Sequence, residues 1–410
     1  MTKEILHVDL NNFYASVEMI LNPALTGRFV AVCGSVENRH GIILAKSENA
    51  KKLGVKTGMV IKDALKLCPN LVLVEAKHNK YIAYSKLIKQ IYREFTDYIE
   101  PFGIDECWLD VTNSVKMFGS AENIANLIRK RVKEQLGLTV SVGVSFNKVF
   151  AKLGSDLKKP DATTVISKEN FKEKIWGLPV EDLLFVGRST KAKLNKINIL
   201  TIGDLANTDV NYLLKRFGKW GKVLHDYANG LDDSVVNKDD EQDEIKSVGN
   251  SMTCYRDLTS DEDIKIIFTV LADSVSSRVI EYKVGKPHTL SIYVRDEFLN
   301  SLTRQCKLEH PSVLPEDFVA SAYELFKKHI KNGTNVRTLG ISVSDFNQSD
   351  EQISFDDEKY EKKTKLNDAV ASLRNKYGNE TVLKGILLKD KKFVRENLKE
   401  EHIIHPDGKI

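Results

Sequence analysis

Three acidic residues carry the most direct chemistry in this sequence. Asp9 closes a short apolar run, Glu4-Ile-Leu-His-Val-Asp-Leu10, and the adjacent pair Asp105-Glu106 interrupts a second, Tyr98 to Thr112. Carboxylates suit hard divalent cations such as magnesium, which takes oxygen ligands and keeps several waters or phosphate oxygens. Two such ions about 4 Å apart can activate a hydroxyl nucleophile and stabilise a leaving pyrophosphate. The trio therefore points to phosphoryl transfer, which asks for positioning and charge neutralisation more than covalent help. A carboxylate among the apolar neighbours of Asp9 is costly without a cation beside it. The pair alone says little, because Asp-Glu pairs are common at turns. It gains meaning only if the fold brings Asp9 to it.

That condition sets what the surrounding elements must do. Residues 4–10 read as a buried strand and 13–21 as a helix. Phe29–Cys33 and Ile42–Ala45 are β-prone, residues 34–41 between them are turn-like, and 46–53 look helical until Gly54. After a strand at 71–74, residues 78–97 form an amphipathic helix with Tyr81, Tyr84, Leu87, Ile88, Ile91 and Phe95 at helical spacing. Tyr98–Thr112 reads as two strands meeting at Asp105-Glu106, followed by a helix over 121–135 and an alternating strand over 138–145. Strand, helix, strand, strand, helix, strand is the order of a ferredoxin-like split βαβ sheet, in which the first strand lies beside the hairpin strands. Asp9 can then face Asp105 and Glu106.

Downstream, 169–231 reads as compact and helical, with Lys191, Lys193, Lys196, Lys215, Arg216, Lys219 and Lys222 outnumbering the acids. Residues 232–244 are acidic and poorly hydrophobic, as in a linker. Residues 245–346 read as a separate α/β unit, with strands near 289–295 and 337–343 and helices near 261–282 and 315–331. The tail from 347 to 410 is polar, with one helix near 364–376. The fold class expected is α+β and multidomain.

The 410 residues are 42% hydrophobic and 29% charged, enough for buried cores in several soluble domains. No apolar run approaches the roughly 18 residues of a membrane span. The N-terminus lacks the basic-then-apolar layout of a signal peptide. Five scattered cysteines, none in a CxxC pair, argue against structural zinc and against a disulfide framework. A cytosolic protein without membrane partners is expected. The formal charge of +4 permits nucleic-acid binding without demanding it.

The motif text goes further. Asp9-Leu-Asn-Asn-Phe-Tyr-Ala-Ser-Val-Glu18 and Gly103-Ile-Asp-Glu-Cys-Trp-Leu-Asp-Val-Thr112 resemble the Y-family DNA polymerases, specifically their DinB-like branch. The resemblance runs in order over residues 4–346, through Ala50–Gly58, Ser141–Lys152, Ser155–Pro160, Lys246–Gly249 and Thr338–Ser344. It implies a low-fidelity, translesion polymerase with a palm (1–13 and 75–168), fingers (14–74), a thumb (169–231) and a little finger (245–346). It also implies two magnesium ions on Asp9, Asp105, Glu106 and the Leu10 carbonyl, with primer–template DNA and deoxynucleoside triphosphates as substrates. Tyr14 falls on the steric gate that excludes a 2′-hydroxyl, with Phe13 beside it as either substrate contact or core. Lys159 matches the family's triphosphate-binding lysine. Two positions depart from the pattern: Glu48 and Lys51 stand where Tyr and Arg are usual. Lys51 meets a triphosphate only as a point charge, and Glu48, which would repel phosphate, is expected to turn away. Gly103 replaces a more usual Ser.

Leu184–Ile199 resembles a helix–hairpin–helix in which Gly187, Ser189 and Lys191 would hold a DNA phosphate without reading sequence. An ordinary helix start capped by Ser189 or Thr190 is the plain alternative. Glu351-Gln-Ile-Ser-Phe355 is similar to short peptides that bind the bacterial sliding clamp, through Gln352, Ile353 and Phe355, although Asp356 stands where a second large apolar residue is common. A monomer is expected. Two other functions compete. A nucleotidyl cyclase-like enzyme on the same palm would leave about half the chain unexplained. A non-catalytic DNA-binding protein would have lost at least one of the three acids. No proofreading exonuclease pattern is present among the motifs.

Overall fold

The computed structural model describes residues 3–34, 41–238, 244–347, 357–377, 381–390 and 392–393. These fall into two compact units, one up to residue 238 and one from 244 onward.

The first unit is built on a five-stranded sheet ordered β5-β6-β1-β7-β8. Its strands are β1 (Ile5–Leu10), β5 (Ile99–Pro101), β6 (Glu106–Asp110), β7 (Val140–Ser145) and β8 (Thr163–Ile166). β1 lies between β6 and β7, antiparallel to both, as the split βαβ order requires. β8 adds a parallel edge strand beyond that expectation. Leu6, Val8 and Leu10 point to one face of β1, where they meet helices α4 (His78–Arg93) and α6 (Ala121–Leu136) through Ile88, Ile91, Ile124 and Ile128. Ile5, His7 and Asp9 alternate to the other face, which α7 (Lys148–Leu157) covers. α7 presses directly on β7 at Gly143. A Cβ there would sit 1.9 Å from the Ala151 carbonyl oxygen and 2.5 Å from the Ser155 nitrogen, so only glycine fits.

α1 (Phe13–Leu21) leads into a three-stranded sheet ordered β3-β2-β4, made of β2 (Val30–Cys33), β3 (Ile43–Lys46) and β4 (Val72–Glu75). Helices α2 (Glu48–Lys52) and α3 (Ile61–Leu67) pack on it around Ala50, Val55 and Ala64. A short α5 (Val115–Phe118) precedes α6. Past β8 come five short helices: α8 (Phe171–Ile175), α9 (Arg188–Asn195), α10 (Ile202–Asn207), α11 (Val210–Phe217) and α12 (Lys219–Ala228). Their core is not self-contained, since Val149, Phe150 and Leu153 of α7 belong to it. α7 is thus a wall shared by the sheet and the helical cluster.

The stretch read as an acidic linker is not free chain where it begins. Val236 is buried with Ile5, Trp108 and Ala151. The Lys148 ammonium donates to the Val235 carbonyl at 3.3 Å and pairs with Glu100 at 2.7 Å, and the Asn237 amide donates to the other Glu100 oxygen. One buried apolar side chain and a buried ion pair outweigh the low average hydrophobicity of the segment.

The second unit is a four-stranded antiparallel sheet ordered β11-β10-β12-β9, from β9 (Ser247–Leu258), β10 (Lys286–Asp296), β11 (Ser301–Lys307) and β12 (Val336–Asn347). α13 (Asp261–Tyr282) and α14 (Pro315–His329) cover one face through Phe268, Leu271, Val275, Phe318 and Phe326. The opposite face alternates small and polar residues, among them Thr253, Ser291, Thr338, Gly340 and Ser342, in register with one another. The tail does not hang free of this unit. α15 (Asp357–Tyr377) donates from Asn367 to Ser276 and from Arg374 to Asp273, Lys384 also pairs with Asp273, and Leu387 and Phe393 are buried in the same core. The polar composition of the tail hides these few anchors.

Candidate active site

Asp9 and Glu106 are direct cross-strand partners between β1 and β6. Asp105 ends the turn before β6, and its carbonyl accepts from the Leu10 amide at 3.1 Å. Gly103 allows that turn with φ of 93°, a left-handed backbone that glycine adopts without a Cβ penalty. All three acids, with Leu10 and Phe13, line one cavity, together with Lys46, Glu48, Lys51 and Lys159 from the opposite side. Its volume of about 230 Å³ is below the roughly 300–1,000 Å³ of sites that enclose a whole ligand, and suits the phosphate end of a nucleotide.

Crowding is visible in the ionisation of the acids. Burial, then the nearby Glu106 and Asp9 carboxylates, pushes Asp105 up to about 7. Burial and Glu106 also raise Asp9, against the pull of Lys159 and Lys152. Lys152, from α7, is the cation in the middle: its ammonium lies 2.9 Å from Glu106 Oε1, 3.2 Å from Asp156 and 3.6 Å from Asp9. Burial alone would lower its pKa, but these carboxylates hold it above the usual lysine range. Lys159 bridges Asp9 and Asp156 at 2.8 Å each. Among the described residues, no three His, Cys, Asp or Glu side chains already converge as a metal-binding group. The two ammonium groups sit on the oxygens that a cation would need. The donor set still fits magnesium, because the cluster offers all-oxygen ligands, and a cation would offset both the burial that raises Asp9 and Asp105 and the smaller repulsion among the carboxylates.

Glu48 contradicts expectation. It does not turn away but faces into the cavity, accepting from Asn12 Nδ2 at 3.2 Å and lying 3.9 Å from the Lys51 ammonium. The Asn12 amide, held in a left-handed conformation at the start of α1, gives the carboxylate a donor there. Tyr14 is absent from the cavity wall. It stacks on Tyr81 with ring centroids 4.1 Å apart, edge-on to His78, and burial raises its hydroxyl to about 12. Phe13, left open between contact and core, is buried in the core and also borders the cavity.

Gly187 is the N-cap of α9 and no side chain caps that helix, so neither Ser189 nor Thr190 plays the capping role. Lys191 is drawn into an ion pair with Glu181, which shares its charge. Gln352, Ile353 and Phe355 lie outside the described residues. Sequence reasoning assigned no role to Lys152, Asp156, Ser155 or His7. The i, i+4 spacing of Lys152 and Asp156 on a helix that reaches the acids was the available signal.

A split βαβ sheet presenting three carboxylates beneath a lysine-lined cavity is the arrangement of a palm-type nucleotidyltransferase. Residues 8–156 match the impB/mucB/samB family, 245–355 match its C-terminal domain, and 181–232 match the thumb domain described for DNA polymerase-iota. A DNA polymerase IV of Acetivibrio thermocellus is 51% identical over 95% of this chain and 99% of its own length. One of Clostridium kluyveri is 38% identical over 96% and 100%. Among solved structures, a Y-family DNA polymerase chimera of Dbh and Dpo4 superposes with a TM-score of 0.73 at 28% identity, covering 84% of this chain and 99% of that one. An insertion ternary complex of Dbh DNA polymerase gives 0.59 at 26% identity, with the same coverage. The chain belongs to the DinB-like branch of the Y-family DNA polymerases and is a translesion DNA polymerase. The cyclase-like and non-catalytic alternatives find no support in these relatives.

Proposed function

We propose that Asp9, Asp105, Glu106 and the Leu10 carbonyl hold two magnesium ions against an incoming deoxynucleoside triphosphate on primer–template DNA. When bound, the ions would activate the primer 3′-hydroxyl and neutralise the departing pyrophosphate. The rest falls to side chains. Lys159, leaving Asp9, and Lys51, leaving Glu48, bind triphosphate oxygens as point charges. Lys152 stays with Glu106 and Asp156 and limits repulsion within the acid cluster. Tyr14, rotated from its stack on Tyr81, closes the space beneath the sugar C2′. The observation that carries this reading is the cross-strand pairing of Asp9 with Glu106 beside a lysine-lined cavity.

The helical cluster is the thumb and the second unit the little finger, and both grip duplex DNA through backbone contacts that weaken with salt. The helix-free face bearing Ser291, Thr338, Gly340 and Ser342 supports that role, since small hydroxyl and glycine positions let a phosphate backbone approach closely. The enzyme acts as a cytosolic monomer, tethered to the sliding clamp through Gln352, Ile353 and Phe355. Deleting those residues should abolish stimulation by the clamp and spare basal synthesis; unchanged stimulation would refute the tether. The decisive test of the whole is primer extension with magnesium and four deoxynucleotides. Extension is expected from the intact protein and not from Asp105→Ala. Equal extension by both would overturn the assignment.

A further inference from the structure

His7 sits on β1 two residues before Asp9, on the same face, with no solvent exposure. Its ring is boxed in by Trp108, edge-on at 5.2 Å, and by α7. Nδ1 lies 2.8 Å from Ser155 Oγ. Nε2 is buried with no hydrogen-bond partner meeting ordinary geometry, and Glu106 Oε2 lies 3.4 Å from it. The other oxygen of that carboxylate is held by Lys152 at 2.9 Å.

The proton inventory decides what this arrangement can do. Ser155 has a single hydroxyl proton and two acceptors within reach, the Lys152 carbonyl at 2.7 Å and His7 Nδ1 at 2.8 Å. If the proton goes to the carbonyl, Nδ1 must carry the ring proton, and Nε2 turns a bare lone pair toward a carboxylate. Two acceptors then face each other, the imidazole one fully buried, which is costly. If the proton goes to Nδ1, Nε2 carries the ring proton beside Oε2, which a small turn of the carboxylate brings onto it, while the helical Lys152 carbonyl loses only an auxiliary partner. The second arrangement satisfies the expensive group. We propose that His7 is a positioning residue: as the Nε2–H tautomer, fixed by Ser155, it donates to Glu106 Oε2 and, with Lys152 on Oε1, fixes the plane in which Glu106 presents its oxygens to a divalent cation. This rests on the metal-binding role proposed for Glu106. Outer partners of this kind commonly change metal affinity by about 10–100-fold.

Two measurements test it. In the intact protein, 15N shifts of the His7 ring report the tautomer directly, without any variant. Nε2–H is expected, and an Nδ1–H ring would overturn the proposal. Separately, free Mn2+ is counted by electron paramagnetic resonance against protein bound to primer–template and a non-hydrolysable deoxynucleotide analogue. His7→Leu should weaken Mn2+ binding at least tenfold while circular dichroism and melting remain those of a folded protein. His7→Gln, whose amide N–H can stand in for Nε2–H, should recover most of the affinity. Unchanged Mn2+ affinity in folded His7→Leu, or no difference between Gln and Leu, would overturn it. Failure of the unaltered protein to bind Mn2+ would instead refute the metal reading of Glu106, and the role of His7 with it.

Discussion

Replacing Asp105 by asparagine should stabilise the metal-free enzyme while destroying its activity. The folded protein raises this carboxyl from 3.8 to about 7, chiefly by burial, with Glu106 and Asp9 adding repulsion. Between those two values the unfolded chain has released the proton and the folded chain still holds it. Stability therefore falls as pH rises from about 4 to 7, and above 7 the folded state carries the full cost of an ionised Asp105. A shift of about three units corresponds to roughly 4 kcal/mol as a ceiling. Local relaxation should leave about half of that, or roughly 2 kcal/mol. At roughly 2–4 °C per kcal/mol for a unit of this size, Asp105→Asn should melt about 4–8 °C above the unaltered protein at pH 8 without metal. The gap should shrink to under half at pH 5, where the native carboxyl is largely neutral. Magnesium with nucleotide should narrow it from the other side, by stabilising only the protein that retains its ligand. The assay is thermal unfolding in chelator and in magnesium at both pH values, beside primer extension. If Asp105→Asn melts at or below the unaltered protein at pH 8 in chelator, the carboxyl is not strained and the electrostatic account of the site is wrong.

Two further substitutions probe the scaffold and the gate. Gly143→Ala places a methyl group on the backbone of α7 at Ala151 and Ser155, where no side chain can swing aside. The loss should reach about 3 kcal/mol, the upper end for overpacking, and should lower synthesis as well, because α7 carries Lys152; a melting point unchanged within error would count against the close approach. Tyr14→Ala should admit ribonucleotides while keeping most deoxynucleotide incorporation, measured by single-nucleotide kinetics. Continued rejection of ribonucleotides would move the gate to another residue.

The sheet that carries the acids was legible because its helices and strands differ cleanly in hydrophobic period. α1 falls on Phe13–Leu21 as read, and the long helix before β5 ends only a few residues early, at Arg93. β9 and β11 leave little signal in the sequence. β11 is an edge strand with hardly any buried positions, and β9 alternates apolar residues with serine, glycine and asparagine, which resembles a loop in composition. The tail escaped for a related reason: Leu387 and Phe393 are isolated apolar residues in charged surroundings, and only the tertiary fold gives them a core to enter. At the site, residue identities located the acids but not their company. Glu48 was misjudged because repulsion from phosphate was weighed without the Asn12 amide that holds it in place. Lys152 and His7 stood in quoted motifs, yet nothing in a linear string says that α7 lies flat against β1. That follows from Gly143, whose missing side chain is a packing fact before it is a sequence signal.

The double allegiance of α7 bears on how this enzyme can be taken apart. One side of the helix supplies Phe150 and Leu153 to the thumb core, and the other brings Lys152 to Glu106 and Ser155 to His7. A graft that exchanges thumbs between relatives at the end of β8 would cut through this shared wall, pairing a foreign cluster with a helix shaped for another. The portable piece begins earlier, at Asn147, and must bring its own lysine and serine with it. The helical cluster and the neutralisation of the acids are therefore inherited as one part.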